Sequence, residues 1–222
     1  MKLQRSKKSS IIQSNEVANE KFSSIQTNIQ FMRANGQNVQ TITVTSASKG
    51  EGKTFFSSNF ASTYAQFKQK TLLVDTDFYS PKLSRENYAT TSKGLSNYLI
   101  GDATFEEAAQ PLDDYLDLIP TGVIPPNPLE LIKTHDLSGL IQDALTRYEM
   151  IIFDCPPITI FTDARIYAAL SDLGILVVNS GKTMEDDFIQ ARNFLADSGV
   201  RAIGAVLNNS KYDKRRYDYY GS

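Results

Sequence analysis

One cysteine, Cys155, and one histidine, His135, stand in 222 residues. A lone thiol cannot close an internal disulfide or build a cysteine-based zinc site, so a reducing cytosol is the expected compartment. His135, flanked by Lys133 and Asp136 in a helical stretch, reads as a surface residue. Positive charge is not in surplus either: 23 Lys and Arg against 25 Asp and Glu give a formal net charge of −2. Phosphate neutralisation needs a clustered surplus, so no nucleic-acid partner is expected. Apolar runs such as LGILVVN and MIIF fall far short of the ~20 residues that span a bilayer. The start MKLQRSKKSS carries Lys2, Arg5, Lys7 and Lys8 with no acid before Glu16, and lacks the apolar stretch of a secretory signal. Residues 1–15 read as a flexible basic arm, with contact to an anionic membrane surface as the alternative. No internal repeat and no long linker interrupts the rest.

What is present is globular in composition, 41% apolar and 22% charged, enough for one domain over 1–222. Runs rich in β-branched and aliphatic residues recur at 41–46, 71–77, 115–119, 150–154, 174–179 and 202–208. Segments with helical periodicity lie between them at 53–68, 128–147, 162–171 and 185–198. Strand alternating with helix is the pattern of an α/β fold, a mostly parallel sheet with helices on both faces. Ahead of the first strand, 16–34 reads as an amphipathic helix with Val17, Phe22, Ile25, Ile29 and Met32 on one stripe. In PTGVIPPNP, 120–128, four prolines in nine residues restrict the backbone and predict a fixed loop leading into a helix.

Chemistry concentrates in SASKGEGKT. Ala47-x-x-x-x-Gly52-Lys53-Thr54 matches a P-loop with Ala at the first position. Small residues let successive backbone N–H groups point at one phosphate, and the helix that follows adds its N-terminal partial charge. Ser48, Lys49, Gly50, Glu51, Gly52, Lys53 and Thr54 are therefore expected to bind nucleotide, Lys53 on the β- and γ-phosphates and the Thr54 hydroxyl on Mg²⁺. Lys49, inside the loop, is the mark of a deviant P-loop subgroup and reaches phosphate, or else is a solvated loop lysine. Asp75 and Asp77, in LLVDTD, fall where ligands gather in open α/β sheets. Asp154 ends the apolar strand MIIFD, as a Walker B aspartate that holds Mg²⁺ through its hydration shell would. Cys155 is then a passive neighbour, and Asp163, in TDA, is expected to cap the next helix. Asn208, ending the last strand, has an amide able to face an adenine edge, or is an ordinary strand-end asparagine. No N/T-K-x-D guanine-reading element occurs at the strand ends, so ATP is the expected nucleotide.

The chain finishes in KYDKRRYDYYGS, with Tyr212, Tyr217, Tyr219 and Tyr220 among basic side chains; residues 209–222 read as a flexible tail. Phosphoryl transfer to a hydroxyl needs a carboxylate to accept its proton, which Asp75 or Asp77 supplies.

In SASKGEGKT, in LLVDTD followed by Pro81, in GVIPPNPLELI, in FDCPP with TDA after it, in AIGAVLN and in the tyrosine-rich end, the chain resembles the bacterial tyrosine kinases of capsular and exopolysaccharide synthesis, of the cytosolic Gram-positive type. The resemblance implies a P-loop NTPase-like fold using ATP and Mg²⁺. It implies Lys53 and Thr54 on phosphate and metal, Asp75 as base for the incoming tyrosine, Asp77 and Asp154 on Mg²⁺, and the four tail tyrosines as phosphorylation sites. It further implies a transmembrane adaptor whose cytosolic C-terminal segment activates the kinase at the inner face of the membrane, a cognate tyrosine phosphatase, and a ring-shaped homo-oligomer. Each tail has its own site or a neighbour's as target, and geometry favours the neighbour's provided the tail leaves the sheet away from its own phosphates.

Two positions depart from that pattern. The family's Glu-x-x-Arg-x-x-Arg reads here as Glu20, Ser23 and Gln26, and neither serine nor glutamine matches a bidentate arginine contact. The family's arginine two residues after the second aspartate is Tyr79 here. A switch ATPase of the deviant P-loop kind and a non-catalytic ATP-binding adaptor are the alternative readings.

Overall fold

The computed structural model describes residues 16–34, 37–86 and 93–210. The basic arm and the four tail tyrosines lie outside the described residues. In chain order the elements are α1 (Glu16–Phe31), β1 (Arg33–Ala34), β2 (Gln37–Asn38), β3 (Thr41–Ser46), α2 (Lys53–Gln66), β4 (Thr71–Asp75), α3 (Lys82–Glu86), α4 (Leu95–Leu99), α5 (Phe105–Ala108), β5 (Gln110–Asp113), β6 (Leu116–Ile119), α6 (Pro128–Thr134), α7 (Leu137–Leu145), β7 (Met150–Asp154), α8 (Asp163–Ala169), β8 (Leu173–Asn179), α9 (Glu185–Asp197) and β9 (Ala202–Asn208).

Seven strands form one sheet in the order β5-β6-β4-β7-β3-β8-β9, parallel except for β5. The central strands read as unbroken apolar runs because both faces are covered. Leu72, Val74, Ile151, Phe153 and Leu176 point to one core, with Leu131, Leu140, Tyr167 and Leu195 from α6 to α9. The alternate residues Leu73, Ile152, Ile175 and Val177 point to the other, covered by α1 and α2. On α2, Phe56, Phe60 and Tyr64 recur every four residues with successive ring centroids 5.1 Å apart, the first pair stacked and the second edge to face. Phe22 of α1 joins this ladder 5.6 Å from Phe56, so the apolar stripe of the N-terminal helix packs on its own sheet.

The helix expected over 16–34 ends at Phe31 and gives way to the short antiparallel pair β1–β2. The stretch 128–147 is two helices: the Asp136 Oδ1 accepts from the Gly139 N–H at 3.0 Å, starting α7, and a side-chain cap of this kind competes with continuation of α6. His135 is the half-buried residue at that break, its Nδ1 2.9 Å from the Leu131 carbonyl. β4 stops at Asp75, before Asp77. The 120–128 loop is fixed, as its prolines predict: the Leu95 and Ser96 N–H groups donate to the carbonyls of Pro120 and Thr121 at 2.7 and 3.0 Å. Gly122 takes φ 74° there, and a Cβ at that position would sit 2.4 Å from the Asn97 Oδ1. Asn127 then caps α6, accepting from the Glu130 N–H at 3.3 Å ahead of Pro128.

Gln26 is buried, its Nε2 donating to the Gln69 Oε1 at 2.9 Å. That position of α1 faces the chain's own interior. No helix among the described residues is long and apolar enough to cross a membrane.

Candidate active site

The parallel strands deliver their C-terminal ends to one edge of the sheet, where β3 runs into the P-loop and the loop into α2. Gly50 and Gly52 have φ of 82° and 101°, a left-handed backbone that suits glycine and curls the loop. Glu51 turns its carboxylate inward: Oε2 accepts from the Ser48 N–H at 2.8 Å, and Oε1 accepts from the Thr183 hydroxyl after β8. The sequence placed Glu51 only as a loop member; its side chain clamps the loop to β8. Lys49 is exposed at the cleft mouth, a position open to phosphate and to solvent alike.

Asn208 ends β9 with its amide bonded to the loop. Its Nδ2 donates to the Glu51 carbonyl at 3.0 Å, and its Oδ1 accepts from the Asn209 N–H at 2.9 Å. A Cβ on Gly52 would lie 2.0 Å from that Nδ2, so glycine is required where the amide leans on the loop. β9 therefore ends beside its own P-loop.

Thr54 Oγ1 donates to the Asp154 Oδ2 at 2.8 Å, and Ser57 Oγ donates to the Asp154 Oδ1 at 2.7 Å. Two expected Mg²⁺ ligands, 100 residues apart in sequence, thus touch. Lys53 is buried next to them; burial lowers its pKa more strongly than Asp154, Asp77 and Glu51 raise it. Burial likewise pushes Asp154 up to about 6, against its hydrogen bonds and the Lys53 charge.

The two aspartates of LLVDTD part company. Asp77 lines the cleft, its Oδ1 accepting from the Ser80 N–H at 2.9 Å. Asp75 lies beneath, fully buried. Its Oδ2 accepts from the Ser84 N–H at 2.9 Å and the Ser84 hydroxyl at 2.7 Å, while Oδ1 accepts from the Asp77 N–H at 3.2 Å. Burial, reinforced by Asp154, pushes its carboxyl up to about 8. Ser57 and Ser84 were not singled out from the sequence; Ser57 had a signal, being four residues after Lys53 on one helix face.

Cys155 is buried at 3.2 Å from the Thr76 hydroxyl, and burial raises its thiol pKa, so it is inert. Asp163 does not cap α8. Thr162 holds the N-cap position, and Asp163, buried at the first helical residue, accepts from the Tyr79 hydroxyl at 3.4 Å.

The residues fit a nucleotide triphosphate and Mg²⁺. Among the described residues no three His, Cys, Asp or Glu side chains gather into a cage. A hydroxyl and a carboxylate in contact, beside a buried lysine, are instead the partial oxygen set that Mg²⁺ takes when phosphates and water complete its shell.

A family model described as an AAA domain matches residues 39–183, from β3 past the end of β8. Tyrosine-protein kinase YwqD of Bacillus subtilis is 35% identical over 205 residues, 91% of this chain and 86% of that protein. The tyrosine-protein kinase CpsD of Streptococcus agalactiae is 34% identical over 205 residues, 91% and 88% of the two. The chain belongs to the bacterial tyrosine kinases. The kinase domain of Escherichia coli tyrosine kinase ETK superposes with a TM-score of 0.85 at 26% identity, over 96% of this chain and 84% of that one. Within this kinase chain, the P-loop, Asp77, the residues that follow it up to Glu86 and the turn 157–161 line one cleft of about 840 Å³, and Asp154 is bonded to Thr54 of that lining.

Proposed function

We propose that the chain transfers the γ-phosphoryl group of ATP to tyrosine hydroxyls of its own C-terminal cluster, Tyr212, Tyr217, Tyr219 and Tyr220, and so regulates synthesis and export of a capsular or extracellular polysaccharide. The observation that carries the reading is the Thr54–Asp154 contact beside buried Lys53, with Asp77 on the same cleft.

Backbone N–H groups of 48–54 and the Lys53 ammonium hold and neutralise the phosphates. Thr54, Asp77 and Asp154 would hold Mg²⁺, which would neutralise charge on the phosphate oxygens. Asp75 accepts the tyrosine proton. Burial holds its carboxyl up to about 8 in the nucleotide-free chain, so it must give up that proton before it can serve as general base. Ser84 holds the Asp75 Oδ2 with both its N–H and its hydroxyl.

A transmembrane adaptor's cytosolic segment activates the kinase at the inner face of the membrane, and a tyrosine phosphatase resets it. Each phosphotyrosine adds about −1.5 to −2 of charge, so a phosphorylated tail is repelled by Asp77 and Asp154. Any ring of subunits is built without an arginine at position 26, where Gln26 faces inward.

The test is incubation with Mg²⁺–ATP, with and without the adaptor segment, followed by phosphotyrosine mapping, with Lys53→Met as control. Phosphate on residues 212–220, rising with the adaptor and absent in the control, is expected. ATP hydrolysis with no phosphotyrosine in either condition would instead identify a switch ATPase.

A further inference from the structure

The wall of the cleft that faces the P-loop is aromatic. Tyr79 stacks on Phe161 with ring centroids 3.8 Å apart and planes 17° from parallel, yet remains 41% exposed toward the cleft it lines. Ile160 beside it is 59% exposed, and Phe55, at the start of α2, is 58% exposed on the opposite wall. Phe55 also meets Phe22, ring centroids 6.4 Å apart, but much of each of these apolar groups stays open beside a charged floor, as at a binding surface.

The wall is held in place. The Ile160 and Phe161 N–H groups donate to the Pro157 carbonyl at 3.2 and 3.0 Å, making a tight turn after the double proline. That turn is tied to the P-loop: the Ile158 N–H donates to the Ser46 carbonyl at 3.0 Å, and the Thr159 hydroxyl donates to the Ala47 carbonyl. The Tyr79 hydroxyl donates to buried Asp163. The distance from the ring pair to the phosphate loop is therefore set by the fold, which is what presenting a hydroxyl in line with a phosphate demands.

We infer that Tyr79, Phe161 and Ile160 form a subsite for the phenol ring of the acceptor tyrosine, and that the occupant is a tyrosine of this chain's residues 211–222. Every phosphate-accepting side chain in that segment other than Ser222 is a tyrosine, and an aromatic wall selects a flat ring over an aliphatic hydroxyl. The segment also begins in the right place: Asn208, three residues before it, touches the P-loop. Across the sheet from β9 to β4 are four strand intervals, about 19 Å at ~4.8 Å each. Nine extended residues from Asn208 to Tyr217 span up to about 31 Å, so Tyr217, Tyr219 and Tyr220 have the reach. The inference rests on the kinase reading above.

It is tested with the full chain and a peptide copy of residues 211–222, by measuring KM for the peptide and, separately, the nucleotide affinity. Phe161→Ala and Ile160→Ser are each expected to raise the peptide KM roughly three- to tenfold, with nucleotide affinity unchanged. A peptide with all tyrosines replaced by phenylalanine should inhibit competitively, and one with leucine should not. Retained nucleotide binding shows that a variant has folded; should Phe161→Ala fail this, Ile160→Ser and the phenylalanine peptide decide. Unchanged peptide KM in folded variants, or equal inhibition by the phenylalanine and leucine peptides, overturns the subsite. Wild-type protein that phosphorylates neither its tail nor the peptide overturns the kinase reading instead.

Discussion

Asp75 is a carboxyl held without water, its proton kept by burial and by Asp154. The folded protein holds a proton on it up to about pH 8, whereas an unfolded carboxyl releases its proton near 3.8. Between those values the folded state binds more protons, so stability is fullest on the acid side and is lost as pH rises through about 8. Asp154 adds the same sign over the narrower window up to about 6. The melting temperature of the nucleotide-free protein is therefore expected to fall from pH 5 to pH 8, and Asp75→Asn, which removes the charge, to flatten most of that slope. An unchanged slope in Asp75→Asn would show that burial of this carboxyl is relieved in solution. Gly52 offers a second test at this scale. Gly52→Ala strains a left-handed backbone and drives the Asn208 amide off the Glu51 carbonyl. The two effects together cost about 2 kcal/mol, so ATP affinity measured by titration should weaken roughly tenfold or more.

These residue contacts were unevenly legible in the sequence. Lys53, Thr54 and Asp154 stand in motifs whose spacing encodes their meeting, and they do meet. The Glu51–Thr183 clamp spans 132 positions and has no local pattern to announce it. Asp163 looked like a cap because it precedes a helix, but Thr162 already has helical backbone angles, which moves the cap position one residue earlier and turns Asp163 toward Tyr79. Asn208 does end a strand, and its amide is bonded to the Glu51 carbonyl, a contact 157 positions away that no local pattern announces.

At the scale of elements, the strands were readable because burial on both faces leaves continuous apolar runs, as in MIIFD. β5 was not: its four residues, QPLD, include a proline, alternate between half-buried and exposed, and pair at the sheet edge against β6 alone. The double helix 128–145 carries one periodicity, and only the Asp136 side chain, capping Gly139, breaks it. The α1–α2 contact is the element pairing on which the N-terminal helix depends. Phe56, 3% exposed in the middle of its aromatic ladder, is expected to cost about 3–5 kcal/mol when cut to alanine, measured by denaturant unfolding. A loss below 1 kcal/mol would mean that α1 packs elsewhere.

For the whole molecule, the question is which cleft each tail tyrosine enters. Tyr212 lies four residues past Asn208, at most about 14 Å of extended chain, short of the ~19 Å across four strands. Its phosphorylation should thus depend on protein concentration, since a second copy must supply the cleft, while Tyr217, Tyr219 and Tyr220 retain a concentration-independent component on dilution. Equal dilution dependence at all four sites would show that the chain never reaches its own cleft.

The most direct measurement is the intact mass of the purified chain after incubation with Mg²⁺–ATP, beside Lys53→Met and a variant with the four tail tyrosines changed to phenylalanine. Stepwise addition of up to four phosphates to the native chain, and none to either variant, is the expected result. Phosphate on the phenylalanine variant equal to that on the native chain, or none on the native chain even with the adaptor segment present, contradicts the assignment of this cleft as a kinase for its own tail.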